Sequence, residues 1–440
     1  MRFSYLKGLW LSLLWLFLVA VNAYGQNDFV FVNNDLSTGN TVSAFSITSN
    51  GVFRQIVGSP FPTGGLGTDG SGFFATNRIT NVMTGNFLFV ANTGSNSISA
   101  FTVDPLRGTL RPVPGSPFSN GPPGNSGIAL TATQDGRFLF ASSNGAININ
   151  VYSIAANGAL TQVVSSPFIV GAFINSMRVT PNGRFLVVSL TNLDAIAMFT
   201  ITGNGTLIPV PGSPFLATGT GSATGIEINS ASNLLFVGEA NSIGTVVDVF
   251  NINSNGVLTP IPGSPFTTFR GGINSNIVKL SPDERFLFVS NQISNAITVF
   301  NVSANGSLRA VAGSPFPVNG DTPVGLATNR AGTLLFTVNL FSPSIEVFNV
   351  ASNGVLSRVP RSPFRTNQAD GATSIAVLSF GTAPQGQFGT QIEEVIDNDL
   401  LSTDEVTPVE DEPKTKIDRS PTPIFDLKDQ SWLYMKKDRY

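Results

Sequence analysis

The chain of 440 residues contains no cysteine and no histidine, and only 12% of its residues are charged. Without cysteine there are no disulfides, thiolate metal sites, cysteine nucleophile or cysteine-linked lipid anchor. Without histidine a Ser-His-Asp triad is impossible, and metal binding loses its commonest nitrogen ligand, so no metal and no cofactor are expected. A net charge of -3 supplies no basic surface for nucleic acid. What is abundant is Gly (44 residues) and Phe (35), together with Asn, Ser and Val, the vocabulary of short strands and tight turns. An all-β protein is the expectation.

The one long apolar run lies at the start. Arg2 and Lys7 precede "LWLSLLWLFLVAV", and the small residues of "NAYGQ" follow, the three-part pattern of a secretory signal peptide over residues 1–25. Cleavage would follow Ala23 or Gly25. An uncleaved anchor needs nearer ~20 apolar residues, so the expected protein is secreted, periplasmic or on the cell surface, with no membrane span after cleavage.

Ser-Pro-Phe begins at Ser59, Ser116, Ser166, Ser213, Ser264, Ser314 and Ser362. A period near ~50 residues falls in the range of propeller blades. Each unit also carries one apolar strand, from "FVFVNN" at Phe29 to "LLFTVN" at Leu334. Within a unit a first strand leads through a turn such as "SPDER" to the apolar strand, then to an alternating strand such as "AITVFNV". An Asn-Gly turn (Asn50, Asn157, Asn204, Asn255, Asn305, Asn353) then leads to a last strand. Proline cannot donate to a ladder, so Ser-Pro is expected to end the outermost strand, with the following Phe buried between blades.

The first unit lacks an innermost strand, and "ATSIAVLSF" at 372–380 is an innermost strand with no blade after it. The C-terminal strand should therefore complete blade one. These features predict a seven-bladed β-propeller over 26–382 with four antiparallel strands per blade. Residues 381–440 hold 13 acidic against 7 basic residues and several prolines, so 383–440 reads as a disordered acidic tail.

Units such as "PNGRFLVV" and "PDERFLFVSN" followed by "AITVF" resemble the YVTN-type repeat of the seven-bladed lactonase-family propellers, which include 6-phosphogluconolactonase-like enzymes. The resemblance covers about 28–382. It implies that Glu239, in "GEANSIGTVVDVF", stands at the place of a family "NELxSTVxVY" glutamate, and that Asp194, in "LTNLDAIAMF", matches the aspartate of "DLGxDRVxxY". Where the family has Gly-Pro-Arg-His, Thr224 and Gly225 stand in for Arg and His.

The blade-to-blade connections are longer than the turns at the other end, so the face that carries them is the expected site. Its charges include Asp35, Asp69, Asp194, Glu239, Asp321 and Asp370 against Arg270 and Arg365. Glu239, Asp194, Arg270 and Asp321 are the candidate ligand-binding residues. With no histidine for a base, two readings remain: a non-catalytic exported module, expected to be monomeric, that binds a surface protein, polysaccharide or small ligand; alternatively a divergent lactone hydrolase, with Glu239 as base and Arg270 steadying developing charge.

Overall fold

The computed structural model describes residues 27–380, apart from 49–51, 71–75, 83, 122–126, 144–146, 220, 242–243, 269–274 and 367–371, together with two short strands further on. Seven antiparallel sheets form seven blades, and among the described residues the only helical turn is Thr191–Leu193. Blade six is representative. Ser275–Leu280 is innermost, Phe286–Asn291 is second, Ala296–Val302 is third and Leu308–Ala310 is outermost. The second strands are buried on both faces, because each is pressed between two neighbouring blades.

Ring closure follows the expectation. Ser374–Phe380 pairs antiparallel with Asn27–Asn33, from Asn27 opposite Phe380 to Asn33 opposite Ser374. Blade one therefore takes three strands from the N-terminal end and its innermost strand from the C-terminal end.

The Ser-Pro-Phe motif departs from the expectation at its proline and meets it at its phenylalanine. The outermost strand does not end at Ser-Pro; it resumes for two or three residues, as in Phe316–Pro317, which pairs with the start of the third strand. The serine bridges the interruption. In all seven blades its Oγ accepts the N–H of a third-strand residue, at 2.8–2.9 Å, for example Val299 to Ser314. All seven Ser-Pro bonds are cis. The motif phenylalanines pack against the apolar clusters between blades, as expected, Phe364 buried and the other six half-buried. The seams also hold second-strand aromatics such as Phe31, Phe89, Phe140 and Phe288, each fully buried and worth ~1.5–3 kcal/mol for a side chain of this kind.

The proposed signal peptide lies outside the described residues, as does most of the acidic tail. Two tail segments are described, Pro423–Asp426 and Ser431–Tyr434, paired as an antiparallel hairpin. Among the described residues no helix is long and apolar enough to cross a membrane.

Candidate functional site

Each chain crossing from one blade to the next must pass over the end of the sheet it enters, leaving its backbone amides in need of acceptors. In blade five the crossing is the loop 216–222, and two carboxylates receive it. Glu239, at the end of the second strand Leu234–Ala240, accepts the Gly219 N–H on Oε1 and the Gly221 N–H on Oε2, both at 3.0 Å. Asp248, on the third strand Thr245–Ile252, accepts the Thr218 N–H at 2.7 Å, the Gly219 N–H at 3.3 Å and the Ser264 hydroxyl at 3.0 Å, along with the Thr218 hydroxyl. Both side chains are fully buried.

Asp194, half-buried, reaches the same loop from blade four. It sits at φ +47 after the Thr191–Leu193 turn and its Oδ1 accepts the Ala223 N–H at 3.1 Å. Three carboxyl groups therefore converge on 216–223. Burial first, then a hydrogen bond to and the charge of Asp248, with a further contribution from Asp194, push the Glu239 carboxyl up to about 9, against the pull of the Gly221 N–H.

The niche is a repeated one. Pairing places Glu239 where other blades have Asn92, Asn291 or Asn339, and Asp248 where they have Ser99, Thr298 or Glu346. Glu346 likewise accepts the crossing-loop amides of Asn319 and Gly320, and Ser99 donates to the Thr63 carbonyl. Asn295 holds the Thr322 N–H as Asp194 holds that of Ala223. Glycines make the close approach: a Cβ on Gly219 would collide with the Glu239 carboxylate, and one on Gly320 with the Asn339 amide. Blade five thus carries two acids where its sisters use neutral or singly charged residues.

Of the sequence candidates, Glu239 and Asp194 come together. Asp321 does not join them; it lies at the entry to blade seven, where its Oδ1 accepts the Asn295 amide at 3.3 Å and its N–H meets Ser342 Oγ at 2.6 Å. Arg270 and Asp370 lie outside the described residues. Asp248 was overlooked by sequence reasoning, although a charge inside the apolar alternation "TVVDVF" marks it.

A second missed feature is a buried ion pair, Arg78 Nη1 to Asp35 Oδ2 at 2.6 Å, with Thr68 Oγ1 and the Gly70 N–H also donating to that oxygen. Arg78 ends a segment that crosses the central channel. The Thr76 N–H donates to the Asn175 carbonyl of blade four at 2.9 Å, while its own carbonyl accepts Ser374 of blade one. The Asn77 amide donates to Ser176 Oγ and the Met177 carbonyl, both at 3.3 Å, and its carbonyl accepts the Leu130 N–H of blade three. Four blades are thereby tied together across the channel. "NRI" ahead of an innermost strand was its only trace in the sequence.

A family model described as a lactonase, seven-bladed β-propeller, matches residues 21–163, 117–214 and 176–369. Among solved structures, a protein from Bacteroides fragilis provisionally assigned as a 6-phosphogluconolactonase superposes with a TM-score of 0.64 at 18% identity, covering 81% of this chain and 99% of its own. The periplasmic gluconolactonase PpgL of Pseudomonas aeruginosa gives 0.63 at 18% identity, covering 81% and 99%. No curated protein matches the chain. At these identities the structural likeness concerns the fold.

Proposed function

The chain belongs to the seven-bladed β-propeller lactonase family, and from that premise we propose that it is a divergent hydrolase of small sugar-acid lactones. The observation that carries the reading is the extent of the family match, which spans the ring from blade one to blade seven, with the carboxyl cluster of blades four and five on its loop-rich face. This favours the hydrolase over the purely non-catalytic module.

In lactone opening, water adds to the ring carbonyl, the carbonyl carbon–ring oxygen bond breaks, and the ring oxygen leaves as a hydroxyl while a carboxylate forms. Water needs a base, and Asp194 is the cluster's half-buried carboxyl group, at the edge of loop 216–222. Carboxyl groups held in different environments can divide acid and base roles. Glu239 is enclosed, so in this reading it is a positioning residue: protonated, it fixes the Gly219 and Gly221 amides that wall the site. Asp248 locks the same loop. Asp321, in the crossing into blade seven, belongs to the proposed rim as a further group on the same face.

The test is ring opening of 6-phosphogluconolactone and glucono-δ-lactone, followed by pH-stat against buffer. Turnover above buffer that falls by about 10²-fold in Asp194→Asn, the usual scale for a lost general base, supports the reading. Rates equal to buffer overturn it, and rates unchanged by Asp194→Asn remove Asp194 from the mechanism. One observation favours a second reading: complete enclosure of Glu239 in a chain without histidine suits a propeller that binds such ligands without converting them. Saturable binding with no turnover would select it.

Export through residues 1–25, with the mature protein periplasmic, secreted or surface-bound and monomeric, is part of the proposal. N-terminal sequencing of the exported protein tests it: the mature chain should begin at Tyr24 or Gln26, and a chain that keeps residues 1–23 would overturn the cleavage.

A further inference from the structure

On the face opposite the crossing loops, five blades open their second strand with phenylalanine: Phe29, Phe87, Phe138, Phe185 and Phe286. Each ring lies against a turn glycine of the next blade. A Cβ on Gly158 would meet Phe87 at 2.6 Å, and one on Gly354 would meet Phe286 at 2.5 Å. Where arginine precedes the phenylalanine it covers the ring, as Arg184 does over Phe185 at 5.1 Å. The niche is therefore built for a benzyl group.

Two blades have leucine there. At the seam between blades seven and one, Leu334 is compensated, because Phe53 occupies a position that is leucine in the other six blades and stacks on Phe364 at 4.8 Å. At the seam between blades five and six, Leu234, Val249 and Ile261 lie against the turn glycine Gly306 where the sister seams place a ring. The turn brings the ordinary Leu308, and the residue before Leu234 is Asn233, whose side chain accepts the Asn229 amide instead of covering a ring. A half-open depression of about 250 Å³ remains beside them, with Leu234, Phe236, Leu280 and Val302 on its apolar side and Asn229, Asp283, Glu284 and Arg285 on its polar side.

We propose that this seam depression is a binding site for a small aryl ligand of benzyl size, bearing a cationic or hydrogen-bond-donating substituent directed at the Asp283–Glu284 rim. The ring would lie beside Leu234, whose side chain is smaller than the phenylalanine of the sister seams. An apolar cavity of about 150 Å³ already suffices for benzene, so the space accommodates a ring and a short substituent. The rim determines the charge: Asp283 is paired with Arg285 at 2.8 Å, which leaves Glu284 as the excess negative group, its Oε1 accepting the Ser230 N–H across the seam. The site lies at the opposite end of the blades from the carboxyl cluster and does not depend on the hydrolase reading.

The experiment titrates the full-length protein with benzylamine, benzyl alcohol and benzoate while following methyl NMR signals of Leu234, Leu280 and Val302. Benzylamine and benzyl alcohol should saturate with shifts centred on those methyls, and benzoate should bind at least about tenfold more weakly than benzylamine, a difference of about 1.4 kcal/mol. Leu234→Phe should abolish the response and raise Tm, while Glu284→Gln should narrow the gap between amine and alcohol. Absence of saturable shifts, shifts centred elsewhere, or benzoate binding as tightly as benzylamine would overturn the proposal. Should Leu234→Phe fail to fold, the wild-type methyl shifts still decide it.

Discussion

A single residue, Glu239, joins the architecture of the site to its pH dependence. Its carboxyl group rises from 4.5 to about 9 on folding. Between those values the folded state holds a proton that the unfolded chain releases, so stability falls as pH rises through the window. Glu239→Gln keeps a neutral group of the same size and should flatten that slope. Thermal melts from about pH 5 to about pH 8.5 check this: the wild type should lose more Tm over the range than the variant, and parallel curves would show that Glu239 does not titrate there. The same loop gives a steric test. Gly219→Ala places a Cβ against the Glu239 carboxylate and should cost about 1–3 kcal/mol. Gly203→Ala, where a Cβ meets nothing within 4 Å, should stay within about 0.5 kcal/mol. Urea midpoints for the two variants measure the contrast.

At the level of elements, the repeat explains itself through hydrogen bonding as well as aromatic burial. Seven serines each supply an acceptor to a third-strand N–H that the interrupted outer strand cannot satisfy. Ser314→Ala leaves the Val299 N–H without that partner and should cost about 1–3 kcal/mol; a urea midpoint unchanged from wild type would show that water replaces the hydroxyl. Strand order and blade number were legible in the sequence because turn chemistry and period repeat seven times. The resumption of the outer strand after Ser-Pro was not, since a proline reads as the end of a strand. Glu239 and Asp194 were legible as neighbours through the family pattern, while their enclosure was hidden. It follows from the glycines of the crossing loop, and becomes visible only when Glu239 is aligned with Asn92, Asn291 and Asn339.

Across the whole molecule, contacts that cross the central channel are what the sequence could not show. Thr76 and Asn77 link blades one, three and four to blade two through backbone and amide hydrogen bonds. No period or motif encodes such pairings, because they depend on how far a seven-membered ring brings opposite walls together. The closing strand is different: its need was readable from a missing first element and an extra last one.

Closure also gives the sharpest prediction at this scale. Ser374–Phe380 supplies the ladder for all seven residues of Asn27–Asn33 and brings buried Ile375, Ala376 and Leu378 against two seams. A chain ending at Thr373 would expose that edge and open the apolar surface of blades one, two and seven. An unpaired edge recruits other strands, so this truncation should aggregate or dimerise and melt well below the full-length protein. A chain ending at Thr382 keeps every one of these contacts and should retain the full-length Tm. Light scattering and thermal melts of the two truncations read the difference. Equal melting of both would mean that the ring does not depend on its closing strand, and a large loss in the longer one would assign a stabilising role to residues 383–440.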